Sequence, residues 1–146
     1  EPVELNRDLD EAERARRIAR FHEPYHHAIH TRLGAYGAAI VFSIHTFTPV
    51  FAGQRRWMEV GVLFDAEEDL ATRMAADFRS AGFATALNEP YSGRAGLIYA
   101  AGRHAQTHGR RALEIEIRQD IAVRPEVRSR IVQVLGDFFR GMLSAA

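Results

Sequence analysis

The chain has 146 residues, 47% of them hydrophobic and 26% charged, with no cysteine. That composition suits one soluble globular domain over residues 1–146. Its 19 basic residues, all arginine, balance 19 acidic ones, so no basic surplus argues for nucleic acid or an anionic membrane surface. Without lysine there is no Schiff base or P-loop lysine, and without cysteine no thiol nucleophile, disulfide or cysteine zinc site. No apolar run is long enough to span a bilayer, and the N-terminus lacks a signal peptide's basic start and apolar core. A cytoplasmic location is the resulting expectation.

Taken in chain order, Asn6 or Asp8 is the expected cap of a long helix over about Glu11–Leu33. Ala15, Ile18, Ala19, Phe21, Ala28, Ile29 and Leu33 recur there at roughly helical spacing. Pro24 lies inside this pattern and predicts a kink or restart. A first strand follows at about Ala38–His45, and the loop Thr48–Arg56 leads to a second at about Trp57–Phe64. The acidic run Asp65–Asp69 opens a helix over about Glu67–Ala81, the end of the helix dipole that favours acids. A short strand at about Ala84–Leu87 precedes a loop rich in turn formers, Asn88–Gly96. Next come a helix at about Leu97–Thr107, a strand at Ala112–Gln119, and an amphipathic helix from Pro125 to about Leu143. Helices interleaved with mostly apolar strands predict an α/β fold, a layered sandwich of sheet and helices.

Three constellations carry chemistry. His22-Glu23-Pro24-Tyr25-His26 spells the H-E-x-x-H zinc-protease motif. That motif needs an unbroken helix with both histidines on one face, and Pro24 removes the continuity. The expected reading is a kinked helix whose Tyr25 and histidines pack or hydrogen-bond. His45 closes the first strand, where α/β sheets usually place ligands; it reads either as a metal ligand or as a hydrogen-bonded structural histidine. Leu113-Glu114-Ile115-Glu116-Ile117-Arg118 alternates strictly. Glu114, Glu116 and Arg118 therefore share one face. They form a solvated face with Arg118 as counter-ion, or a buried set with a task, since both faces of an α/β sheet tend to be covered. A carboxylate beside a metal-bound water can take its proton and pass it to a leaving nitrogen. No G-x-S-x-G elbow or nucleotide-binding loop is present.

Four segments in order resemble the N-formylglutamate amidohydrolase family: Ala12–Ile18 leading to Pro24-Tyr25-His26, Ile44-His45-Thr46-Phe47-Thr48-Pro49, Asn88–Gly93, and Glu114–Asp120. The resemblance implies a three-layer α/β sandwich with a mixed sheet between helices, like the zinc carboxypeptidases and aspartoacylase. It implies a zinc-dependent amidohydrolase acting on a small-molecule N-acyl amino acid, such as an N-formyl one. In that scheme His45 corresponds to a zinc ligand and Glu116 to the general base. Arg118, Tyr91 and Thr46 line the substrate pocket; Thr46 stands where many relatives have serine. The family's first zinc ligands, a histidine and an acid, belong to an N-terminal segment without counterpart here, as does its Asn-Arg motif for the substrate carboxylate. The chain then corresponds to the C-terminal part of a longer domain and on its own is expected not to hold zinc tightly. The alternative is a metal-free, non-catalytic binding module on the same fold.

Overall fold

The structure, a computed structural model, describes residues 4–144. They fall into two compact units divided between Ala38 and Ala39. In the first unit, α1 spans Glu11–Arg17 and α2 spans Glu23–Ala35, with a π-helical turn at Ile18–His22 between them. The cap of α1 is Asp10, not Asn6 or Asp8: its carboxylate accepts from the Glu13 N–H at 2.7 Å. Asn6 instead accepts from Arg17 at 2.8 Å. The helix changes its hydrogen bonding where Pro24 required it. Glu23 N–H bonds back to the Ile18 carbonyl, and Pro24 falls in the first turn of α2, where a missing donor costs least. His22 and His26 lie tilted with ring centroids 4.2 Å apart, and Tyr25 meets His26 edge-on.

The second unit holds β1 Ile40–Phe47, β2 Val50–Phe51, β3 Gln54–Arg55, β4 Val60–Leu63, α3 Glu68–Ser80 and β5 Thr85–Leu87. It continues with α4 Tyr99–Thr107, β6 Arg111–Arg118, α5 Gln119–Ala122 and α6 Pro125–Ser144. Four strands form a mixed sheet in the order β1-β6-β4-β5. β6 runs parallel to β1 and antiparallel to β4. Being central, β6 is buried from Ala112 to Arg118, acids included.

Strand alternation sorts the faces. Val60, Val62, Leu113, Ile115 and Ile117 pack with Leu70, Met74 and Phe78 of α3 and Ile131, Leu135 and Phe138 of α6. Spacings of four and four in α3, and of four and three in α6, put their apolar side chains on one stripe. On the other face Leu63 and Ala112 meet Ile98 and α4's Ala101 and Ala105. This cover by α4 involves only the Ala112 end of β6; Glu114, Glu116 and Arg118 continue the same face beyond it. The fold is thus α/β, a four-stranded mixed sheet with helices packed on each of its faces.

Two features were not expected. Residues 50–55 form a hairpin whose turn, Ala52 and Gly53, has φ of 50° and 76°. Trp57, the expected start of the second strand, lies before β4 and is exposed, while Met58 beside it is buried.

Candidate functional site

Parallel pairing places His45 directly beside Glu116 and Ser43 beside Glu114. All four side chains therefore leave the sheet on one face, and β6's two carboxylates lie against β1's polar pair. Glu114 accepts from Ser43 Oγ at 2.6 Å, and its Oε2 lies 3.6 Å from His45 Nε2. One donor atom each from His45, Glu114 and Glu116 falls within a span of 4.8 Å, the one such group of three or more potential metal-ligand residues among the described residues. His22 and His26 belong to no such group.

Glu116 is the unusual member. It is 5% exposed, and among the described residues its Oε2 has no hydrogen-bond partner. Burial pushes its carboxyl above the ordinary range; positive charge on His45 and Arg56 opposes this and the nearby Glu114 adds to it. On the other side of Glu116, β4 presents Gly61 in register. A Cβ there would overlap the Glu89 carbonyl oxygen, so glycine is what lets the 88–96 loop lie against the strand. Asn88, at φ 52°, fixes that loop: its side-chain oxygen accepts from Phe64 N–H and Gly93 N–H, each at 3.0 Å. Tyr91 is carried on this loop, partly exposed, beside a cis Glu89–Pro90 bond.

The other expected pocket residues fall differently. Arg118 shares the face of Glu116 but is 7% exposed with its guanidinium committed. It bonds Asp120 at 2.7 and 3.3 Å and the carbonyls of Arg56, Trp57 and Met58 at 3.0–3.3 Å. It thereby ties the end of β6 to the segment entering β4. Thr46, one residue from His45, alternates onto the opposite face and is exposed. His45, Glu116 and the Tyr91 loop come together; Thr46 does not join them.

The alternation of β6 places Glu114 on the face of Glu116 without marking a role for it. Ser43 and His45, two apart on one strand, were the signal that a second polar pair faces β6. Arg56 was missed altogether. Its guanidinium carbon sits 4.9–5.4 Å from the ring centroids of Phe47, Phe51 and Tyr91, a position that depends on the hairpin and on no spacing in the chain.

One imidazole and two carboxylates, with an orphaned buried oxygen among them, suit zinc or another divalent ion that accepts nitrogen and oxygen donors. Residues 2–123 match the model of the N-formylglutamate amidohydrolase family. Among solved structures, the chain is similar to the gene product Atu2144 from Agrobacterium tumefaciens, with 31% identity and a TM-score of 0.78. That likeness covers 94% of this chain and 56% of the other. The N-formylglutamate amidohydrolase from Ralstonia eutropha JMP134 shares the fold at 24% identity and a TM-score of 0.57, over 80% of this chain and 45% of that one. No curated protein matches the chain. The chain thus spans about half the length of the solved structures it resembles. With the family model covering most of its length, the chain belongs to the N-formylglutamate amidohydrolase family.

Proposed function

We propose that this chain carries part of the active centre of a zinc-dependent amidohydrolase that cleaves the amide bond of an N-acyl, N-formyl-like, amino acid. The observation that carries this reading is the pairing of His45 with Glu116 on adjacent strands, with a Glu116 oxygen that is buried and, among the described residues, without a hydrogen-bond partner. Family membership supports the reaction class. The same reading takes the sheet and its helices as a zinc-carboxypeptidase-like sandwich.

His45 would hold the zinc, with the Glu114 carboxylate at hand beside it, and ligands outside this chain would complete its set. Bound there, zinc polarises the amide carbonyl and acidifies a water. Glu116 accepts the proton from the attacking water at its free Oε2 and hands it to the departing nitrogen. Burial raises its carboxyl, the direction that helps it hold the proton between the two steps. Ser43, through Glu114, fixes where the second carboxylate stands relative to the imidazole. Tyr91 forms part of the pocket wall. Arg118, with its donors spent, serves the pocket by holding its frame.

The test is turnover of N-formyl and N-acetyl acidic amino acids by the full-length protein and by Glu116→Gln. The reading predicts hydrolysis by the wild type and a fall in kcat of about 10²–10⁴ in the variant. Equal turnover by both proteins refutes the base assignment. No turnover and no bound metal in the wild type leaves the binding module as the better account.

A further inference from the structure

We infer that Arg56 is the specificity-determining residue of this site, presenting a guanidinium fork to a carboxylate on the substrate. The inference rests on the amidohydrolase reading and adds the residue that reads the substrate's free carboxylate and sets the preference over the corresponding carboxamide.

Three rings from three different segments surround the guanidinium: Phe47 ends β1, Phe51 lies in the hairpin, and Tyr91 comes from the 88–96 loop. They stand 5.4, 4.9 and 5.4 Å from it. Aromatic faces attract a cation but satisfy none of its N–H donors, and they limit where it can move. The backbone is held as well. Arg56 N–H bonds the Pro49 carbonyl at 2.9 Å, and the Arg56 carbonyl accepts from the buried Arg118. Yet the side chain makes one weak hydrogen bond, to the Thr48 carbonyl at 3.4 Å, and no ion pair with a carboxylate among the described residues.

Its neighbour in space, Arg118, shows the contrast. There the guanidinium is buried and meets Asp120 and three carbonyls. Arg56 is oriented without being neutralised, over the ring of Phe47, which lies two residues past His45 on the same face of β1. An arginine fork matches a carboxylate with two parallel hydrogen bonds, and those bonds strengthen where apolar walls exclude water. Phe47, buried at the end of β1, provides such a wall, with Phe51 and Tyr91 standing over the guanidinium on the more open sides. The negative ends of Glu114 and Glu116 lie beyond, so a substrate carboxylate would be drawn to Arg56 and repelled from the acids. That asymmetry points the bond to be cut toward Glu116.

The experiment compares kcat/KM of the full-length protein on N-formylglutamate and on its carboxamide analogues. Wild type, Arg56→Gln and Arg56→Lys are used, with calorimetric titration of free glutamate as a binding readout. The wild type is expected to prefer the carboxylate about ten- to a hundredfold, the size of a charge-assisted hydrogen bond. In Arg56→Gln the ratio should fall towards one and glutamate binding should weaken in parallel. Arg56→Lys keeps the charge but loses the fork and should retain only part of the preference. An unchanged ratio in either folded variant overturns the inference while leaving the amidohydrolase reading in place. Absence of turnover on every amide, with glutamate binding lost in Arg56→Gln, sinks the amidohydrolase reading and upholds Arg56 as the carboxylate site.

Discussion

The side chains of β6 show how one strand can carry two opposed environments. Glu116 is buried, its Oε2 has no hydrogen-bond partner among the described residues, and burial raises its carboxyl above the usual range. The folded protein therefore holds that proton more tightly than the unfolded chain. The contribution of Glu116 to stability is fully present below the ordinary carboxylate range and is lost as pH rises through the raised value. Glu116→Gln should remove this decline. Thermal unfolding of wild type and variant between pH 4 and 8, a range set by ordinary carboxylate values, should show the variant gaining relative stability as pH rises. A constant offset across that range would contradict the account. Asp120, two residues past Arg118, behaves oppositely. The guanidinium of Arg118 holds its carboxyl low, so its contribution is present above the ordinary aspartate range and vanishes as pH falls through the depressed value. Asp120→Asn should cost about 1–2 kcal/mol at pH 7, discounted because Asp120 is partly exposed. Denaturant unfolding measures it, and the loss should shrink on acidification.

At the scale of elements, α3, β6 and α6 were legible because each buries one face, whereas the apolar spacing of Glu11–Leu33 marks a helix that buries only His26. The acidic run Asp65–Asp69 and Pro125 mark the starts of α3 and α6 in the sequence; Leu70, Met74 and Phe78, and Ile131, Leu135 and Phe138, are the stripes those helices bury. The strict alternation of β6 announced that Glu114, Glu116 and Arg118 share a face. What stayed hidden depends on partners distant in sequence. The register that puts His45 beside Glu116 arises from pairing across 71 residues. The donors of Arg118 were spent on carbonyls about 60 residues away. The 50–55 hairpin carried a readable turn signal in Ala52-Gly53, but its strands are too short for alternation to show. The 88–96 loop supplies a sharp test of packing. Gly61→Ala would drive a methyl group into the Glu89 carbonyl. It should destabilise by about 1–3 kcal/mol, as overpacking does, and lower turnover by moving Tyr91. Stability unchanged on denaturant titration would show that the loop does not depend on Gly61. In the opposite face, Leu113→Ala should cost about 2–5 kcal/mol through the cavity it leaves beneath α3 and α6. Its effect on the Arg56-dependent carboxylate preference should be small, because it lies on the far side of the sheet.

For the molecule as a whole, zero net charge and the absence of lysine and cysteine narrowed the chemistry to oxygen and nitrogen donors. Among the described residues no helix is long and apolar enough to cross a membrane. Those donors converge in the unit that follows Ala38, at the end of its central strand. The family assignment fits that placement, and the chain's span of about half its solved relatives makes the metal the decisive question. The measurement that decides it is calorimetric titration of zinc into the metal-stripped full-length protein, alongside His45→Ala and Glu116→Gln. One equivalent should bind the wild type. Loss of the imidazole should weaken that binding at least about tenfold, since removing even a supporting group costs 10–100-fold. Glu116→Gln should keep the zinc while losing turnover. Equal zinc affinity in wild type and His45→Ala would contradict the centre described here.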